Sequence, residues 1–241
     1  MCGLLVAIGF LTRLPVPSSV FGDERAQAKS LAWYPAVGLL IGGLLWVLNW
    51  LLHSVPPLLS AALILAAWVT LTGALHLDGL ADSADAWVGG LGDRERTLTI
   101  MKDPRSGPIG VVALILLLLL KFTALVSLSS SHSYALLLAP VLARASLTAL
   151  FLVMPYVRSG GLGAKLVEAS RSACGIAILL SALLCFVFGM HGVLALACAV
   201  LVFWLWRRAC MHRLGGFTGD TAGALAEMIE MVVLVVLAAS A

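Results

Sequence analysis

Charge is scarce in this sequence. Only 11% of its 241 residues are charged, whereas a soluble domain carries roughly 25%. Hydrophobic residues make up 61% of the chain, and the mean hydropathy is +1.07. Water could not solvate such a surface, so the composition excludes a soluble globular protein and indicates that lipid covers most of the exterior.

The sequence also lacks several motifs that would indicate other classes of protein. The five cysteines show no C-x-x-C spacing, which argues against a zinc site or a disulfide framework. The net charge of +3 is small and the basic residues are dispersed, so we expect no nucleic-acid partner. The N-terminus lacks the basic segment and cleavage site of a signal peptide. Because no polar linker divides the chain, we expect one membrane-embedded domain over residues 1–241.

Long apolar runs recur from end to end. A helix needs about 20 apolar residues to cross a bilayer core about 30 Å thick. Residues 1–11 are too short for this and are either a half-span or an interfacial helix, which Pro15 and Pro17 would break. The pattern predicts an all-α fold, a polytopic integral membrane helical bundle of about six to eight transmembrane helices. The predicted spans are residues 31–52, 57–75, 109–130, 133–154, 173–189, 192–206 and 223–240.

The basic residues predict the orientation of these spans. Thirteen of the fifteen Lys and Arg residues fall in segments that alternating spans place on one side of the membrane, and the opposite turns near His53, His132 and His191 hold none. The two exceptions, Lys121 and Arg144, lie within spans. Short loops rich in Lys and Arg stay in the cytoplasm. We therefore expect an integral membrane protein whose polar loops face the cytoplasm, and the resemblance described below implies that this membrane is the bacterial inner membrane.

Three carboxylates follow the second apolar run. Asp78, Asp82 and Asp85 recur at i, i+4 and i+7, so a helix would place them within about 60° of one another. Like charges so close at a membrane boundary favour a bound cation, and oxygen ligands suit Mg²⁺ or Mn²⁺. The alternative is a solvated acidic face. His76 would point away from the aspartates and is either an interfacial histidine or a catalytic one.

Two glycine-containing segments add cations and further carboxylates. Arg94 and Arg96 precede the segment 101–110, in which Lys102, Asp103 and Arg105 stand before Gly107. Backbone amides of glycine-rich turns and basic side chains together favour phosphate, although such cations also serve insertion alone. Asp103 adds a fourth carboxylate.

The second segment, 215–224, holds four glycines and leads into a span that carries Glu227 and Glu230. Thr218 or Asp220 is a helix N-cap or part of a polar pocket, and we expect Arg144 to pair with one of the intramembrane acids. Carboxylates for a divalent cation, with cations and glycines for phosphate, indicate metal-assisted phosphoryl transfer.

The motifs resemble those of the adenosylcobinamide-GDP ribazoletransferases, also called cobalamin synthases. Residues 10–17, 76–85, 94–110 and 215–224 are similar to four ordered family motifs, with Ser83, Pro104, Ser106 and Pro108 as departures. The resemblance implies attack of α-ribazole or its 5′-phosphate on adenosylcobinamide-GDP, with Mg²⁺ as cofactor and GMP as leaving group. It also implies membrane lipid around the chain and association with other corrinoid-pathway enzymes, and it leaves a homo-oligomer open.

The resemblance assigns roles to individual residues. Asp78, Asp82 and Asp85 would hold Mg²⁺, while Lys102 and Arg105 would offset charge on the departing GMP. The candidates for a base that deprotonates the ribose hydroxyl are Asp82, Asp85 and His76. Further expected metal ligands are Asp103, Asp220 and Glu227, and the expected substrate-binding residues are Arg13, Arg94, Arg96, Gly107, Gly216, Thr218, Gly219 and Thr221.

Two other functions fit parts of the pattern. A CDP-alcohol phosphotransferase also uses membrane-embedded aspartates and Mg²⁺, but it typically has Arg where this chain has Asp82. A transporter would use Glu227, Glu230 and Arg144 as an ion pathway. Against a transporter, most of the acids gather at one face of the membrane.

Overall fold

The structure is a computed structural model that describes residues 2–128, 132–158 and 163–240. Helices dominate these ranges, and the only pairing of β type within them is one isolated parallel bridge between Tyr156 and Phe217. The all-α prediction is confirmed. The α-helices are α1 (Cys2–Leu11), α2 (Glu24–Ser30), α3 (Tyr34–Leu51), α4 (Pro57–Thr72), α5 (Leu75–Gly89), α6 (Arg94–Ile100), α7 (Pro108–Ser127), α8 (Ala135–Val153), α9 (Arg171–Phe186), α10 (Gly189–Leu214) and α11 (Gly219–Ala239).

The predicted spans correspond to α3, α4 and α7 to α11. Five helical segments within the described ranges are each long and apolar enough to cross a membrane, and α4 with α5 forms a sixth if the bent pair is one span. The last two residues of the predicted span 109–130 lie outside the described residues. Helix α1, at ten residues, extends about 15 Å and is too short to cross alone.

The segment between the second and third predicted spans, residues 76–108, contains two helices, α5 and α6. Helix α5 turns away from α4 by 87° at Gly73 and Ala74, whose φ angles of 62° and 57° are left-handed. Leu77 and Leu80 of α5 then pack near Leu117 of α7. Because α5 ends beside the start of α7, it runs antiparallel to the first half of that helix. The acidic motif is therefore held against the bundle.

Helices α3, α8 and α11 form the centre of the bundle. Small residues let α3 approach α8, since a Cβ on Gly42 would lie 2.7 Å from the Leu136 carbonyl oxygen. Helix α11 packs against α5, α7, α8 and α10, and most of its first half is buried. Its N-terminus therefore lies inside the bundle, next to the acidic helix.

A cluster of four ionised side chains lies buried between α7, α8 and α11. Lys121 Nζ is 2.6 Å from a carboxylate oxygen of each of Glu227 and Glu230, and Arg144 pairs with the other oxygen of Glu230. Lys121 also lies 4.8 Å from the ring centroid of Trp68. The expected pairing of Arg144 with an intramembrane acid is confirmed, and the two cations and two anions balance.

Candidate active site

The three aspartates of α5 share one helix face, as their spacing predicts. Asp78 is exposed, and Asp82 and Asp85 are half-buried, whereas the intervening Ala81 and Ser83 face the interior. The charges of Asp78, Asp85 and Asp220 all act on the Asp82 carboxylate. Four anions so close together repel one another, so the site favours a cationic partner.

Asp85 fastens α5 to the start of α7. Its two carboxylate oxygens accept hydrogen bonds from the backbone N–H groups of Gly107 and Gly110, at 2.7 and 2.9 Å. A Cβ on Gly110 would lie 2.5 Å from the Asp85 Oδ2 atom, so the contact requires glycine. Pro108, a departure from the family motif, is the first residue of α7, where its missing N–H has no consequence. Asp85 thus satisfies amides that a helix start otherwise leaves unpaired.

Asp220 reaches the site from the N-terminus of α11. A Cβ on Gly79 would lie 2.7 Å from the Asp220 carbonyl oxygen, so α5 and α11 touch through glycine. Arg158 Nη1 donates to Asp220 Oδ2 at 3.0 Å. The segment that carries Arg158 is held in place because Phe217 N–H donates to the Pro155 carbonyl and Val157 N–H donates to the Phe217 carbonyl. Arg158 therefore belongs to the site, although from the sequence alone it counted only among the basic residues of the predicted cytoplasmic loops.

A small cavity of about 70 Å³ lies beside this ion pair. Lys102, Arg158, Thr218 and Asp220 supply its polar walls. The two cations exceed the single carboxylate, so this small space has an excess of positive charge, which suits a phosphoryl group. The predicted catalytic role of Lys102 stays a prediction.

Asp103 and Arg105 form a separate exposed pair. Arg105 Nε and Nη2 donate to Asp103 at 3.0 and 2.8 Å, and these hydrogen bonds lower the pKa of Asp103 to about 2. The carboxylate is thus ionised at neutral pH but engaged by its neighbour. The metal role of Asp103 and the catalytic role of Arg105 stay predictions.

Several expected substrate-binding residues have structural contacts. Thr218 caps α11 and forms a reciprocal capping box with Thr221, which confirms the capping alternative for Thr218. Gly216 lies against the Pro155 carbonyl, where a Cβ would clash, and Gly219 has open space around it. Their roles toward substrate stay predictions.

The expected arginines lie around the edge of the site. Arg94 Nε donates to the Leu214 carbonyl at 2.8 Å and links α6 to α10, while Arg96 is exposed. The side chain of Arg13 lies over Gly73 at the α4–α5 bend. Arg94 thus has a structural contact, and all three substrate-binding roles stay predictions.

His76 and Glu227 lie deeper than the aspartates. His76 is buried, with its Nδ1 atom 3.5 Å from Arg144 Nη2. Glu227 belongs to the buried ion cluster, where Lys121 engages it. The structure therefore places Glu227 apart from the acidic face of α5, and its predicted metal role is untested.

The chemistry of the donors fits a hard divalent cation, because carboxylate oxygens alone make up the acidic face. Amides engage Asp85 and Arg158 engages Asp220, so Asp78 and Asp82 have the least committed oxygens among the described residues. Within the described ranges, no three His, Cys, Asp or Glu side chains converge closely enough to hold an ion as they stand. A cation would have to draw these side chains together.

Comparison with known proteins identifies the family. A family model described as cobalamin-5-phosphate synthase matches residues 3–238. The chain belongs to the cobalamin-5-phosphate synthase family. Its acidic face, its glycine-rich α11 start and its Lys102 segment all lie inside the matched range.

Relatives support this assignment over the full length. The chain is 56% identical over 240 residues to the adenosylcobinamide-GDP ribazoletransferase of Stutzerimonas stutzeri strain A1501, which covers 99% of this chain and 98% of the relative. Proteins of the same name from Pseudomonas fluorescens strain Pf-5 and Pseudomonas aeruginosa strain PAO1 are 57% and 55% identical, over 95% and 98% of this chain and 96% and 97% of the relatives. No solved structure matches the chain.

Proposed function

We propose that this cobalamin-5-phosphate synthase family member transfers the adenosylcobinamide-phosphate group of adenosylcobinamide-GDP to α-ribazole, or to α-ribazole 5′-phosphate. The products are adenosylcobalamin, or its 5′-phosphate, and GMP, in a late step of vitamin B12 biosynthesis. The observation that carries this proposal is the sequence identity of 55–57%, across nearly the whole chain, to enzymes named for this transfer. The family match over residues 3–238 supports it over a CDP-alcohol phosphotransferase or a transporter.

The reaction exchanges one ester oxygen on phosphorus for another. A ribose hydroxyl of the acceptor forms a new bond to the phosphorus that carries cobinamide, and the bond from that phosphorus to the GMP oxygen breaks. The hydroxyl proton passes to a carboxylate, for which Asp82 and Asp85 are candidates and Asp82 is the less engaged. Lys102 and Arg158 would stabilise the charge that develops on the leaving phosphate from the small cavity they share.

We infer that the reaction depends on Mg²⁺ held by Asp78, with Asp85, Asp220 and, where it does not serve as the base, Asp82 as further ligands. A bound Mg²⁺ would neutralise the pyrophosphate and polarise the phosphorus that is attacked. The support is the crowding of Asp78, Asp82 and Asp85 on one face of α5, where Asp78 and Asp82 have the least engaged oxygens among the described residues.

The chain is a multi-pass membrane protein, and we propose that it lies in the bacterial inner membrane with the aspartates in the cytoplasm. The support is the segregation of thirteen of its fifteen Lys and Arg residues to one side. The same side would supply the nucleotide substrate. Membrane lipid surrounds the bundle in this proposal, and its exposed leucines and valines fit that contact.

The test is an assay of the purified, detergent-solubilised protein with adenosylcobinamide-GDP and α-ribazole, following cobalamin and GMP. We expect turnover with Mg²⁺, none after chelation, and a loss of at least a hundredfold in Asp82→Asn. Lys165→Met, a change at an exposed ion pair, is the control and should retain activity. No product from folded wild-type protein would refute the transfer activity, and turnover that persists after chelation would refute the metal dependence.

A further inference from the structure

A second, larger cavity opens beside the acidic face. Its volume is about 380 Å³, in the range of pockets that hold small organic ligands. Helices α1, α3, α5, α8 and α11 contribute to it, together with the segment after α8. Its walls are mainly apolar and aromatic, and they include Phe10, Leu11, Tyr34, Leu147, Phe151 and Tyr156.

The aromatic walls come from two stacked pairs. Phe10 and Tyr34 have ring centroids 6.2 Å apart, and Phe151 and Tyr156 have centroids 6.0 Å apart. Flat faces of this kind favour a flat aromatic ligand, which gains both burial and stacking energy. The expected substrate-binding residues do not line this cavity, with the exception of Gly219.

The charged groups of the cavity lie where it meets the active site. Asp78, Asp220 and Arg158 line it, and Arg158 and Asp220 also line the small phosphate-sized cavity. A ligand in the large cavity therefore has its exit at the acidic face. An attached sugar would reach the residues proposed to act on phosphorus.

The size and lining of the large cavity suit some parts of the two substrates and not others. A corrin macrocycle with its amide side chains is several times too large. Guanine has several donors and acceptors, and those that lie away from the charged end of the cavity would be buried against leucine and phenylalanine, at a cost for each unpaired group. A benzimidazole ring is flat and largely apolar, and its base has one unsubstituted nitrogen acceptor when the other nitrogen carries ribose.

We propose that this cavity binds the benzimidazole base of the α-ribazole acceptor and presents its ribose to the acidic face. This inference rests on the proposed function, since it names where that function's acceptor lies. His76 forms part of the wall. Its Nδ1 atom lies 3.5 Å from Arg144 Nη2, which can only donate, so a neutral His76 carries its hydrogen on Nε2.

The first experiment measures binding of α-ribazole to the full-length detergent-solubilised protein by calorimetry, with no second substrate. We expect binding that free 5,6-dimethylbenzimidazole displaces and that GMP leaves unchanged. Absence of α-ribazole binding, or displacement by GMP in place of the free base, would overturn the proposal. Turnover of the same preparation is recorded separately, so a failure of the proposed activity is distinguished from a failure of this site.

The second experiment compares Phe151→Ala with Phe188→Ala. Both rings are partly buried and stacked on a tyrosine, but Phe188 packs on Tyr134 away from the cavity. We expect Phe151→Ala to raise the Kd and KM for α-ribazole roughly five- to tenfold, with the KM for adenosylcobinamide-GDP within twofold. Equal effects of the two variants, or an effect of Phe151→Ala on adenosylcobinamide-GDP alone, would contradict the assignment.

Discussion

Replacing Lys121 with methionine should destabilise the protein far more than the same replacement at Lys165. Lys121 is buried and engages two carboxylates at 2.6 Å, whereas Lys165 meets Glu24 at 2.8 Å on the surface. Methionine keeps most of the length of lysine but removes the charge. In the buried cluster it would leave Glu227 and Glu230 with Arg144 as their one remaining cation.

The magnitude follows from the burial of the cluster. Removing one partner of a buried ion pair costs about 3–5 kcal/mol, because the remaining charge is left without compensation. In a protein of this size 1 kcal/mol lowers the melting temperature by about 2–4 °C, so Lys121→Met should lower it by roughly 6–20 °C. An exposed pair contributes about 0–1 kcal/mol, so Lys165→Met should change it by no more than about 4 °C.

The assay is thermal unfolding of the purified protein in one detergent, followed by tryptophan fluorescence. The double variant Lys121→Met with Glu227→Gln removes one charge of each sign and leaves the Arg144–Glu230 pair, so it should recover about half of the loss. Equal shifts for Lys121→Met and Lys165→Met would refute the argument from burial. A double variant less stable than Lys121→Met would refute the argument from charge balance.

Three further predictions concern the site. Gly79→Ala should abolish most activity, because its Cβ would press on the Asp220 backbone, while Gly43→Ala, which has open space, should remain active in the same turnover assay. Asp85→Asn should lose one of the two amide hydrogen bonds at the start of α7 and about 1–3 kcal/mol of stability, and an unchanged melting temperature would contradict this role. Arg158→Met should raise the KM for adenosylcobinamide-GDP about tenfold, with Arg158→Lys intermediate, and equal KM values would exclude Arg158 from phosphate binding.

Much of the fold was predictable from the sequence because lipid imposes a simple length rule. Each apolar run of sufficient length became a helix with ends within four residues of the predicted bounds, except that α10 continues to Leu214, eight residues beyond the predicted end. The spacing of Asp78, Asp82 and Asp85 predicted that a helix would place them on one face, and in α5 they do share a face. Two acids and an arginine within apolar runs predicted a buried pairing, and Arg144 with Glu230 confirms it.

The remaining features depend on contacts between distant segments. Nothing in the local sequence distinguishes Arg158 from the other loop cations, because its position follows from backbone hydrogen bonds to residue 217. Asp85 looked like a metal ligand, and its hydrogen bonds to amides 22 and 25 residues away have no local signature. The aromatic cavity likewise collects side chains from five helices, each of which alone reads as core packing.

The break between α4 and α5 has an electrostatic consequence. In an uninterrupted helix the backbone N–H groups here would all be hydrogen-bonded within the helix. The turn at residues 73 and 74 instead starts a new helix, which has Asp78 in its first turn. Helix α11 also begins here, with Asp220 in its first turn. The positive ends of two helix dipoles thus lie close to these carboxylates, and each stabilises a nearby anion by about 0.3–1 kcal/mol. The broken span lowers the energetic cost of holding negative charge inside a membrane protein before any cation arrives.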